Sequence, residues 1–509
     1  ASMAKYLVGI DEGTTGCKTC VFDLEGNIIG QDYREYPCHY PKPGWVEQVP
    51  EEITPALFAS CKAAIERSGV NNADIVALSL STQGSVIGLM DEDGNLIRPF
   101  VGWQDLRAGR ESIATITDKI SVEDYYAITG DPLGFVFSSA KLAWLRDNEP
   151  ENWAKTALFS THHDYFARQF GATEPWTDLS SASREGMFDV NNHCWSERVH
   201  EVIGIPLSKR AQVTKEPGKV IGRIPADVAE KTGLAEGTLL CVGAHDQNAC
   251  TFGAGAVDDG TAVMVIGTFG SCFVVSDTPI RDPNGKLVVK GNHGVGNWTI
   301  EGFANASASA FRWFRDVFGD VEVAAAKSIG VDPYELLTQE ASASVPGANG
   351  ITYLPYLQGA AGARLNGNAR GAFVGMTLGT KKSDMVRAVL EGISFEMREI
   401  LETEAAAGIN VERIRLTGGA AKSPFWCQLL ADVFGRPIEL LQTSETGCLG
   451  AALYAGIGAG LYEGPHDAVT KAVKVSAVYE PNPELAKHYD EAFARFVATM
   501  DALNDTVFA

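Results

Sequence analysis

The sequence lacks several patterns that would assign it directly to a well-known class of protein. None of the apolar stretches in its 509 residues approaches the roughly 18 uncharged residues that a membrane helix needs. It contains no G-x-x-x-x-G-K-[ST] string, which excludes a P-loop nucleotide site. No G-x-G-x-x-G motif opens a helix directly after a strand with a partner acid in range, and this excludes a Rossmann dinucleotide site.

Positive charge is scarce as well. Lysine and arginine together number 42 against 64 acidic residues, so the formal net charge is −22. The resulting field repels polyanions, and we therefore expect neither nucleic acid nor an anionic membrane as a partner. A ligand that is itself a polyanion must be held locally, by backbone N–H groups, a few cations and a metal ion.

Cysteine is sparse, and its pattern is not that of a disulfide framework. The ten cysteines are scattered, and Cys17-x-x-Cys20 has no second pair to complete a zinc site. Residues three apart on a strand point to opposite faces, so we interpret this pair as structural. The chain also shows no basic segment followed by an apolar leader. These features favour a reduced, cytoplasmic protein.

What the sequence does contain is an alternation of strand and helix patterns. Its length predicts two domains, and its 45% hydrophobic and 21% charged residues are typical of a globular protein. Residues 75–81 have the pattern of a buried strand, and residues 51–68 that of an amphipathic helix. Such alternation predicts an α/β fold built on largely parallel sheets.

A β-hairpin with a tip rich in glycine and threonine opens the chain, and a similar hairpin returns in the second half. The tips are residues 11–15 and 267–271. A later strand, residues 414–417, precedes a glycine pair and a predicted helix over residues 424–434. The repeat predicts a duplicated α/β unit with a cleft between the halves. We place the boundary near residues 253–255, which gives domains of residues 1–255 and 256–509.

The first tip has the composition of a phosphate-binding turn. Glycine at a hairpin tip lets backbone N–H groups approach an anion, and threonine hydroxyls add donors. Asp11, at the end of the strand, suits Mg²⁺, and Lys18 supplies a cation. The alternative is an ordinary β-turn; the second hairpin favours phosphate binding, for which the candidates are Gly13, Thr14, Thr15 and Lys18.

Asp246 is a candidate general base for a hydroxyl. It follows an apolar strand and precedes a helical run that begins at Gln247. The helix dipole holds a carboxylate ionised there, and phosphoryl transfer removes the hydroxyl proton late, so a weak base is sufficient. The alternative is a plain helix N-cap, for which aspartate is a preferred residue.

Taken together, these motifs resemble those of the FGGY carbohydrate kinases, the family that holds glycerol, xylulose, ribulose and gluconate kinases. The resemblance extends over nearly the whole chain and includes residues 9–15, 141–145 and 177–183. Its most specific part is Gly371-Ala372-Phe373-Val374-Gly375-Met376 and, after seven intervening residues, Asp384-Met385-Val386-Arg387-Ala388-Val389-Leu390-Glu391.

The resemblance implies an ATP- and Mg²⁺-dependent kinase with two actin-like (ribonuclease H-like) ATPase domains and a central cleft. By it, Asp246 corresponds to the catalytic base, and Gln247 to its neighbour in the substrate pocket. The other positions it assigns contact the nucleotide: Gly267 and Thr268 in the second phosphate hairpin, Ala308 and Arg312 beyond it, and Gly418, Gly419, Ala420 and Ser423 at the adenosine.

The expected sugar pocket contains Gln83, Trp103 and Asp105. Gln83 matches a Gln-Met-His-Gly segment of xylulose kinases, although the histidine position holds Ser85, and the Arg-Glu pair of glycerol kinases is missing. Residues 358–364 replace a Gly-Glu-Arg-Thr-Pro stretch common in xylulose kinases. We therefore expect a xylulokinase-like ketopentose kinase, with gluconate, a tetritol or an autoinducer-type dione as open alternatives.

Other readings of the same residues compete with an active kinase. A non-catalytic relative would bind a sugar or nucleotide in the same cleft, and an ATPase of the actin branch would drive a conformational change in a partner. The run His162-His163-Asp164 has the residue types of a metal cluster, but we expect a strand-to-helix junction there. A homodimer is expected from the habit of the family.

Overall fold

The structure, a computed structural model, describes residues 4–134, 136–294 and 297–509. The strands of the first half are β1 (Tyr6–Glu12), β2 (Gly16–Asp23), β3 (Ile28–Glu35), β4 (Glu47–Gln48), β5 (Ile75–Thr82), β6 (Gly88–Met90), β7 (Phe100–Val101), β8 (Leu158–Ser160), β9 (Trp176–Asp178), β10 (Phe188–Asp189), β11 (Cys194–Trp195), β12 (Gln212–Thr214), β13 (Val220–Arg223), β14 (Leu239–Cys241) and β15 (Ala244–His245). Its helices are α1 (Pro50–Ser68), α2 (Arg110–Thr117), α3 (Val122–Thr129), α4 (Ser138–Asn148), α5 (Pro150–Lys155), α6 (His163–Phe170), α7 (Leu179–Ser183), α8 (Glu197–Ile203), α9 (Ala226–Thr232) and α10 (Asp246–Gly253).

The second half follows the same plan with longer helices. Its strands are β16 (Thr261–Ile266), β17 (Gly270–Ser276), β18 (Val288–Gly291), β19 (Trp298–Ala304), β20 (Thr352–Leu354), β21 (Ala372–Val374), β22 (Arg413–Thr417), β23 (Ile438–Leu441) and β24 (Val475–Tyr479). Its helices are α11 (Ala308–Phe318), α12 (Asp320–Ile329), α13 (Pro333–Ser342), α14 (Lys382–Ala406), α15 (Pro424–Phe434), α16 (Thr446–Gly458), α17 (Pro465–Ala472) and α18 (Ala486–Asn504).

Two mixed sheets with matching spatial order of strands confirm the predicted duplication. Their chain order differs at the edge strand, since β13 precedes β14 whereas β24 follows β23. The first has the strand order β3-β2-β1-β5-β14-β13, and the second has the order β18-β19-β17-β16-β22-β23-β24. In each, an opening antiparallel hairpin is followed by two parallel partners and an antiparallel edge strand. The repeated unit therefore runs through β1, β2, β5, β14 and β13 and returns in β16, β17, β22, β23 and β24.

Local sequence signals explain several element ends. Helix α15 begins where the side chain of Ser423 accepts a hydrogen bond from the Trp426 N–H and Pro424 occupies the first turn. It ends at Gly435, whose φ of 64° lies in the left-handed region that favours glycine. Helix α1 likewise begins with Pro50. These boundaries agree with the predicted helices to within one residue.

Helices α10 and α16 pack against each other and join the two halves. They occupy equivalent places, since each follows the second parallel partner strand of its own sheet. Their contact is close because of glycine: a Cβ at Gly253 would overlap the carbonyl of Thr446, and one at Gly450 would overlap that of Ala249. Helix α16 also packs on β1 and β5, so a segment from the second half covers the first sheet.

The apolar core is divided between the two sheets. The largest cluster of buried side chains surrounds the second sheet with α14, α15 and α18, and a smaller one surrounds the first sheet with α1. A third cluster lies between β1, β2 and α16. Across the described residues, no helix is both long and apolar enough to cross a membrane.

Candidate active site

The first hairpin tip presents unpaired backbone donors. Its carbonyls are satisfied from within the protein, because Tyr36 Oη donates to the Gly13 carbonyl at 2.6 Å and Gln48 Nε2 donates to the Thr14 carbonyl at 2.8 Å. The N–H groups of Thr14 and Thr15 donate to no acceptor among the described residues. An anion bound at this tip would meet free donors, as the sequence predicts.

Asp11 is the penultimate residue of β1, close to this tip. Ser81 Oγ, at the end of the neighbouring β5, donates to Asp11 Oδ1 at 2.7 Å. A Cβ at Gly447 of α16 would lie 3.3 Å from the Asp11 carboxyl carbon, so the helix closes over this acid. Burial raises the pKa of Asp11 to about 6, and the negative charges of Glu12 and Glu445 add to the shift.

Lys18 lies across the hairpin from Asp11, with which it is paired in the register of β1 and β2. Its ammonium group forms an ion pair with Glu445 at 3.3 Å, in which both side chains are partly exposed. The charge of Lys18, the predicted cation, is therefore partly neutralised by Glu445, the residue that precedes α16.

A buried carboxylate that the sequence did not single out holds the expected sugar-pocket glutamine. Glu12 is fully buried, and its oxygens accept from Gln83 Nε2 at 2.7 Å and from the Gln83 N–H at 3.2 Å. His162 Nε2 lies 2.8 Å from the same carboxylate. Gln83 Oε1 is buried and has no partner in the described part of the chain, so one acceptor of this fixed side chain stays open.

The two other expected sugar-pocket residues differ from each other. Trp103 is partly buried, and its Nε1 donates to Thr14 Oγ1 at 3.0 Å, which ties the aromatic side chain to the first tip. Asp105 is fully buried, and both of its oxygens accept from the Arg107 guanidinium at 2.9 Å. Asp105 Oδ2 also accepts from the Val46 N–H at 2.6 Å. The contact of Asp105 with sugar hydroxyls stays a prediction, and in this structure both carboxylate oxygens accept hydrogen bonds from Arg107.

Asp246 is the first residue of α10, and the N-cap position belongs to His245. The alternative interpretation, in which Asp246 is the N-cap, is therefore wrong by one position. Its side chain is 35% exposed. Burial of the carboxylate and the negative charge of Asp11 raise its pKa to about 8, although the Arg184 guanidinium acts in the opposite direction. This differs from the expectation that the helix N-terminus keeps the carboxylate ionised, because burial outweighs the helix dipole. Asp246 acts as a general base only in its ionised form, and a pKa near 8 keeps that form accessible close to neutral pH.

Gln247 and Arg184 lie close to this acid. Gln247 stands in the first turn of α10 and is half-buried. Arg184 forms a bidentate, buried ion pair with Glu301 of β19, with nitrogen–oxygen distances of 2.8 and 2.6 Å. This pair ties the residue that follows α7 to the second sheet, and it leaves the arginine electrically balanced.

The second hairpin tip lies against the start of α11 and the end of β22. The Ala308 N–H donates to the Gly267 carbonyl at 2.7 Å, and Ser309 Oγ donates to the Thr268 carbonyl at 2.7 Å. A Cβ at Gly418, whose φ is 90°, would lie 2.5 Å from the Ile266 carbonyl oxygen. The structure thus brings together segments that lie far apart in the sequence.

The remaining predicted nucleotide residues surround this second tip. Gly419 and Ala420 lie in a short 3₁₀ turn that follows Gly418, and Ser423 caps α15. Arg312 is exposed, one turn along α11 from Ala308. The N–H groups of Thr268 and Phe269 donate to no acceptor within the residues that the structure describes, as at the first tip.

Two candidate metal clusters are explained without a metal. In the run from His162, the His162 ring bonds to Glu12, and the His163 ring bonds to Thr82 Oγ1, which lies 2.9 Å from His163 Nδ1.

A second group consists of Cys20, Glu445 and Cys448, whose ligand atoms lie within 4.8 Å of one another. Here the Cys448 thiol donates to the Lys18 carbonyl at 3.5 Å, and its pKa is well above the usual range because of its contact with Cys20 and its burial. Cys17 and Cys20 lie in different core clusters, as opposite faces of β2 require.

Comparison with known proteins identifies this arrangement. The family model "FGGY family of carbohydrate kinases, N-terminal domain" matches residues 6–253, and the model of the corresponding C-terminal domain matches residues 262–459. The chain belongs to the FGGY family of carbohydrate kinases. It is accordingly a phosphotransferase with an alcohol group as acceptor, which confirms the resemblance found in the sequence.

Relatives of this FGGY kinase carry different substrate names. The gluconokinase of Bacillus subtilis (strain 168) is 29% identical over 504 residues, with 97% of this chain and 95% of that protein covered. A glycerol kinase of Thermococcus gammatolerans is 31% identical over 492 residues, with 94% of each covered. The crystal structure of a ligand-bound xylulose kinase from Lactobacillus acidophilus has a TM-score of 0.89 at 25% identity and covers 99% of both chains. This likeness confirms the predicted fold class.

Proposed function

We propose that this FGGY kinase transfers the γ-phosphoryl group of ATP to a hydroxyl of an uncharged sugar, with a ketopentose of the xylulose kind as the preferred acceptor. The observation that carries the proposal is the carboxylate of Asp246, which is partly exposed at the start of α10 and has a pKa raised to about 8. Phosphoryl transfer to an alcohol needs one group that accepts the hydroxyl proton, and Asp246 is in position for that task.

The two hairpin tips are the proposed phosphate sites. Their free N–H donors fit the phosphate oxygens of ATP, with Gly13, Thr14, Thr15 and Lys18 at the first tip and Gly267 and Thr268 at the second. The space beside Gly267 is open, since the nearest neighbour to an added Cβ is 3.9 Å away. The remaining nucleotide contacts in the proposal are Ala308, Arg312, Gly418, Gly419, Ala420 and Ser423.

Asp11 is the proposed Mg²⁺ residue. Carboxylate oxygens are ligands that Mg²⁺ prefers, and Asp11 lies at the end of a strand beside the first tip. Its pKa, raised to about 6 by burial, also fits, because a bound cation would offset the buried negative charge. When bound, Mg²⁺ would neutralise charge on the phosphates.

The proposed chemistry needs one proton transfer and one phosphoryl transfer. The acceptor oxygen forms a bond to the γ-phosphorus, the bridging bond between the β- and γ-phosphates breaks, and ADP leaves with its negative charge. The hydroxyl proton passes late in this step to a carboxylate oxygen of Asp246. Gln83 and Gln247 would hold the sugar hydroxyls, and Trp103 would pack against the sugar carbons.

The preference for an uncharged acceptor rests on four cationic side chains around this pocket in the described part of the chain, each of which is paired within the protein. Arg107 is paired with Asp105, and Arg184 with Glu301. Lys141 donates to the carbonyls of Trp103, Gly102 and Val136, and Lys290 pairs with Asp131. A sugar acid such as gluconate would need a cation for its carboxylate, so we rank it below a ketose.

Two alternatives remain testable. A non-catalytic relative would bind a sugar or nucleotide in the cleft without turnover. An ATPase of the actin branch would release ADP without a sugar.

We also propose that the chain divides into domains of residues 1–255 and 256–509, which leaves one complete sheet in each domain. We further propose that the protein is a homodimer, and sedimentation would test this.

The test is ADP release from protein, ATP and Mg²⁺ against a panel of ketoses, polyols and sugar acids, with Asp246→Asn alongside. We expect turnover on one or a few neutral sugars and a loss of about 10²–10⁴-fold in kcat in the variant. Sugar-independent ADP release would favour the ATPase. Binding without turnover would favour the non-catalytic reading, and turnover on gluconate alone would reject the neutral acceptor.

A further inference from the structure

Gln48 is a buried residue at the end of β4 that no sequence motif singles out. Its Nε2 donates to the Thr14 carbonyl at 2.8 Å, and its Oε1 accepts from Gln83 Nε2 at 3.1 Å. A weaker contact joins Gln48 Nε2 to Cys38 Sγ at 3.6 Å. The side chain of Gln48 therefore connects the first hairpin tip to the expected sugar-pocket glutamine.

The orientation of the two amide groups follows from an atom that has only one role. The carbonyl oxygen of Thr14 can accept a hydrogen bond but cannot donate one, so the Gln48 atom that faces it is the nitrogen. The oxygen of Gln48 then faces Gln83, and the Gln83 atom that meets it is in turn a nitrogen. The backbone at the tip thus fixes both side chains, one after the other.

Glu12 supports the same orientation of Gln83 from another direction. Gln83 Nε2 donates to Glu12 Oε2 at 2.7 Å, and the Gln83 N–H donates to Glu12 Oε1 at 3.2 Å. A reversed amide would place its oxygen against Glu12 Oε2 and against Gln48 Oε1. Because the contacts of Gln48 involve neutral groups alone, the orientation does not depend on the charge of Glu12. Both hydrogens of Gln83 Nε2 are therefore used within the protein.

The one polar atom that remains on this side chain is Gln83 Oε1. It is buried and has no partner among the described residues, and an amide oxygen only accepts. Gln83 directly follows Thr82, which pairs with His245, the residue before the proposed base Asp246. A buried acceptor without a donor is costly, so a ligand that supplies a donor is favoured at this end of β5.

We infer that Glu12 and Gln48 are positioning residues that make Gln83 present an acceptor, Oε1, to a hydroxyl of the sugar other than the one that is phosphorylated. The inference rests on the proposed function and narrows its substrate class. At this contact the substrate needs a group that donates. A carbonyl oxygen, a fluorine atom or a bare methylene at the same carbon would leave Oε1 unpaired and would be rejected.

Fluorinated sugars test which group Gln83 accepts from. Fluorine has about the size of a hydroxyl but donates no hydrogen bond. In the panel sugar with the highest kcat/KM, each non-reacting hydroxyl is replaced in turn by fluorine. At one position we expect kcat/KM to fall by about 10–100-fold more in the wild type than in Gln83→Met, which has no acceptor to leave unpaired. Equal penalties in both proteins at every position would overturn the inference.

A matched pair of variants tests the positioning role of Gln48. Gln48→Met keeps the length of the side chain and removes its bonds to Thr14 and Gln83. Tyr36→Phe removes the donor to the Gly13 carbonyl at the same tip and leaves the two glutamines paired. We expect the discrimination against fluorine to fall by about 3–10-fold in Gln48→Met and to persist in Tyr36→Phe. The same discrimination in both variants would mean that Gln48 only supports the tip.

Neutron diffraction from crystals of the deuterated wild-type protein tests the orientation without a substrate. The account expects two deuterium atoms on the Gln83 atom that faces Glu12 and Gln48, and an oxygen at that place would overturn it. This result is independent of the proposed function, which a protein with no turnover on any sugar would reject. Turnover without any Gln83-dependent effect of fluorine would leave the proposed function intact and reject this inference alone.

Discussion

The two hairpin tips follow the same chain path and carry different chemistry. In the repeated unit, Asp11-Glu12-Gly13-Thr14 at the end of β1 corresponds to Val265-Ile266-Gly267-Thr268 at the end of β16. Glycine and threonine recur at both tips, but the two acids are replaced by apolar residues in the second half. Both tips share the glycine and threonine whose backbone N–H groups suit a phosphate. Of the two tips, the first alone carries acidic residues, and it lies where Mg²⁺ is proposed to bind.

The same contrast extends to the strands beside each tip. In the first half, β5 is followed by Gln83 and Gly84, which meet Glu12 and His245. In the second half, β22 is followed by Gly418 and Gly419, where the chain simply lies close to the β16 tip. In the proposed site, the acid and metal chemistry therefore falls to side chains of the first half, whereas the second tip offers mainly backbone donors and close packing.

After Asp246, the largest effect that would test this division is expected at Asp11. Asp11→Asn removes the proposed Mg²⁺ carboxylate, and we expect kcat to fall by about 10²–10³-fold, as for the loss of one electrostatic contact to a phosphoryl transition state. The Mg²⁺ concentration for half-maximal rate should rise as well. A steady-state assay over a Mg²⁺ series measures both.

Ser81→Ala is the matched control for Asp11. It removes only the hydrogen bond of 2.7 Å to Asp11 Oδ1 and leaves the carboxylate in place. We expect a much smaller change in kcat. An Asp11→Asn protein with the Mg²⁺ response of the wild type would show that this acid is merely structural.

A smaller effect is expected at the second tip. Gly418→Ala places a Cβ 2.5 Å from the Ile266 carbonyl oxygen, so it should move the loop beside the tip and raise the KM for ATP by about tenfold, a change of about 1.4 kcal/mol. Initial rates at varied ATP concentration measure this. The kcat at saturating ATP should change little.

Gly408→Ala is the matched control for Gly418. Gly408 has a similar φ of 98°, and nothing lies within 4 Å of an added Cβ. Both variants therefore place a Cβ on a residue with positive φ, but only Gly418→Ala displaces the β16 tip. A similar KM for ATP in the two variants would mean that the tip does not bind the nucleotide.

The smallest effect concerns stability and pH. The pKa of Asp246 is about 8 in the folded protein and about 3.9 in an unfolded chain. Between these values the folded state binds more protons, so the contribution of Asp246 becomes less favourable as pH rises from about 4 to about 8. An asparagine side chain does not titrate, and Asp246→Asn should therefore be more stable than the wild type above pH 8.

The expected size of this difference is modest. A side chain that is 35% exposed is screened by solvent, so we expect a gain of about 1 kcal/mol, or about 2–4 °C in Tm. Calorimetry at pH 8 and at pH 4 measures it, and the gain should vanish at the lower pH. A gain that is the same at both values would have a cause other than ionisation.

Parts of this arrangement follow from the sequence alone because they depend on local signals. The glycine–threonine tips and the Ser423-Pro424 start of α15 are read from neighbouring residues. The pairing of Asp105 with Arg107 also had a local signal, an acid and an arginine two positions apart, which fixes Asp105 within its own loop.

The rest depends on contacts between distant segments and has no local pattern. Glu12 meets residues that are 71 and 150 positions away, so its role in holding Gln83 appears only when β1, β5 and α6 are assembled. The closeness of Gly418 to the β16 tip likewise follows from the parallel pairing of β16 with β22. The position of α16 over Asp11 depends on glycine contacts between two helices.

The most direct test of the central claim measures Asp246→Asn and Gly418→Ala side by side, with kcat and the KM for ATP determined for each on the best acceptor. The account predicts that Asp246→Asn loses kcat and keeps the KM for ATP, while Gly418→Ala raises that KM and keeps most of the kcat. The reverse pattern, or the same pattern in both proteins, would contradict the division of proton transfer and nucleotide binding between the two halves.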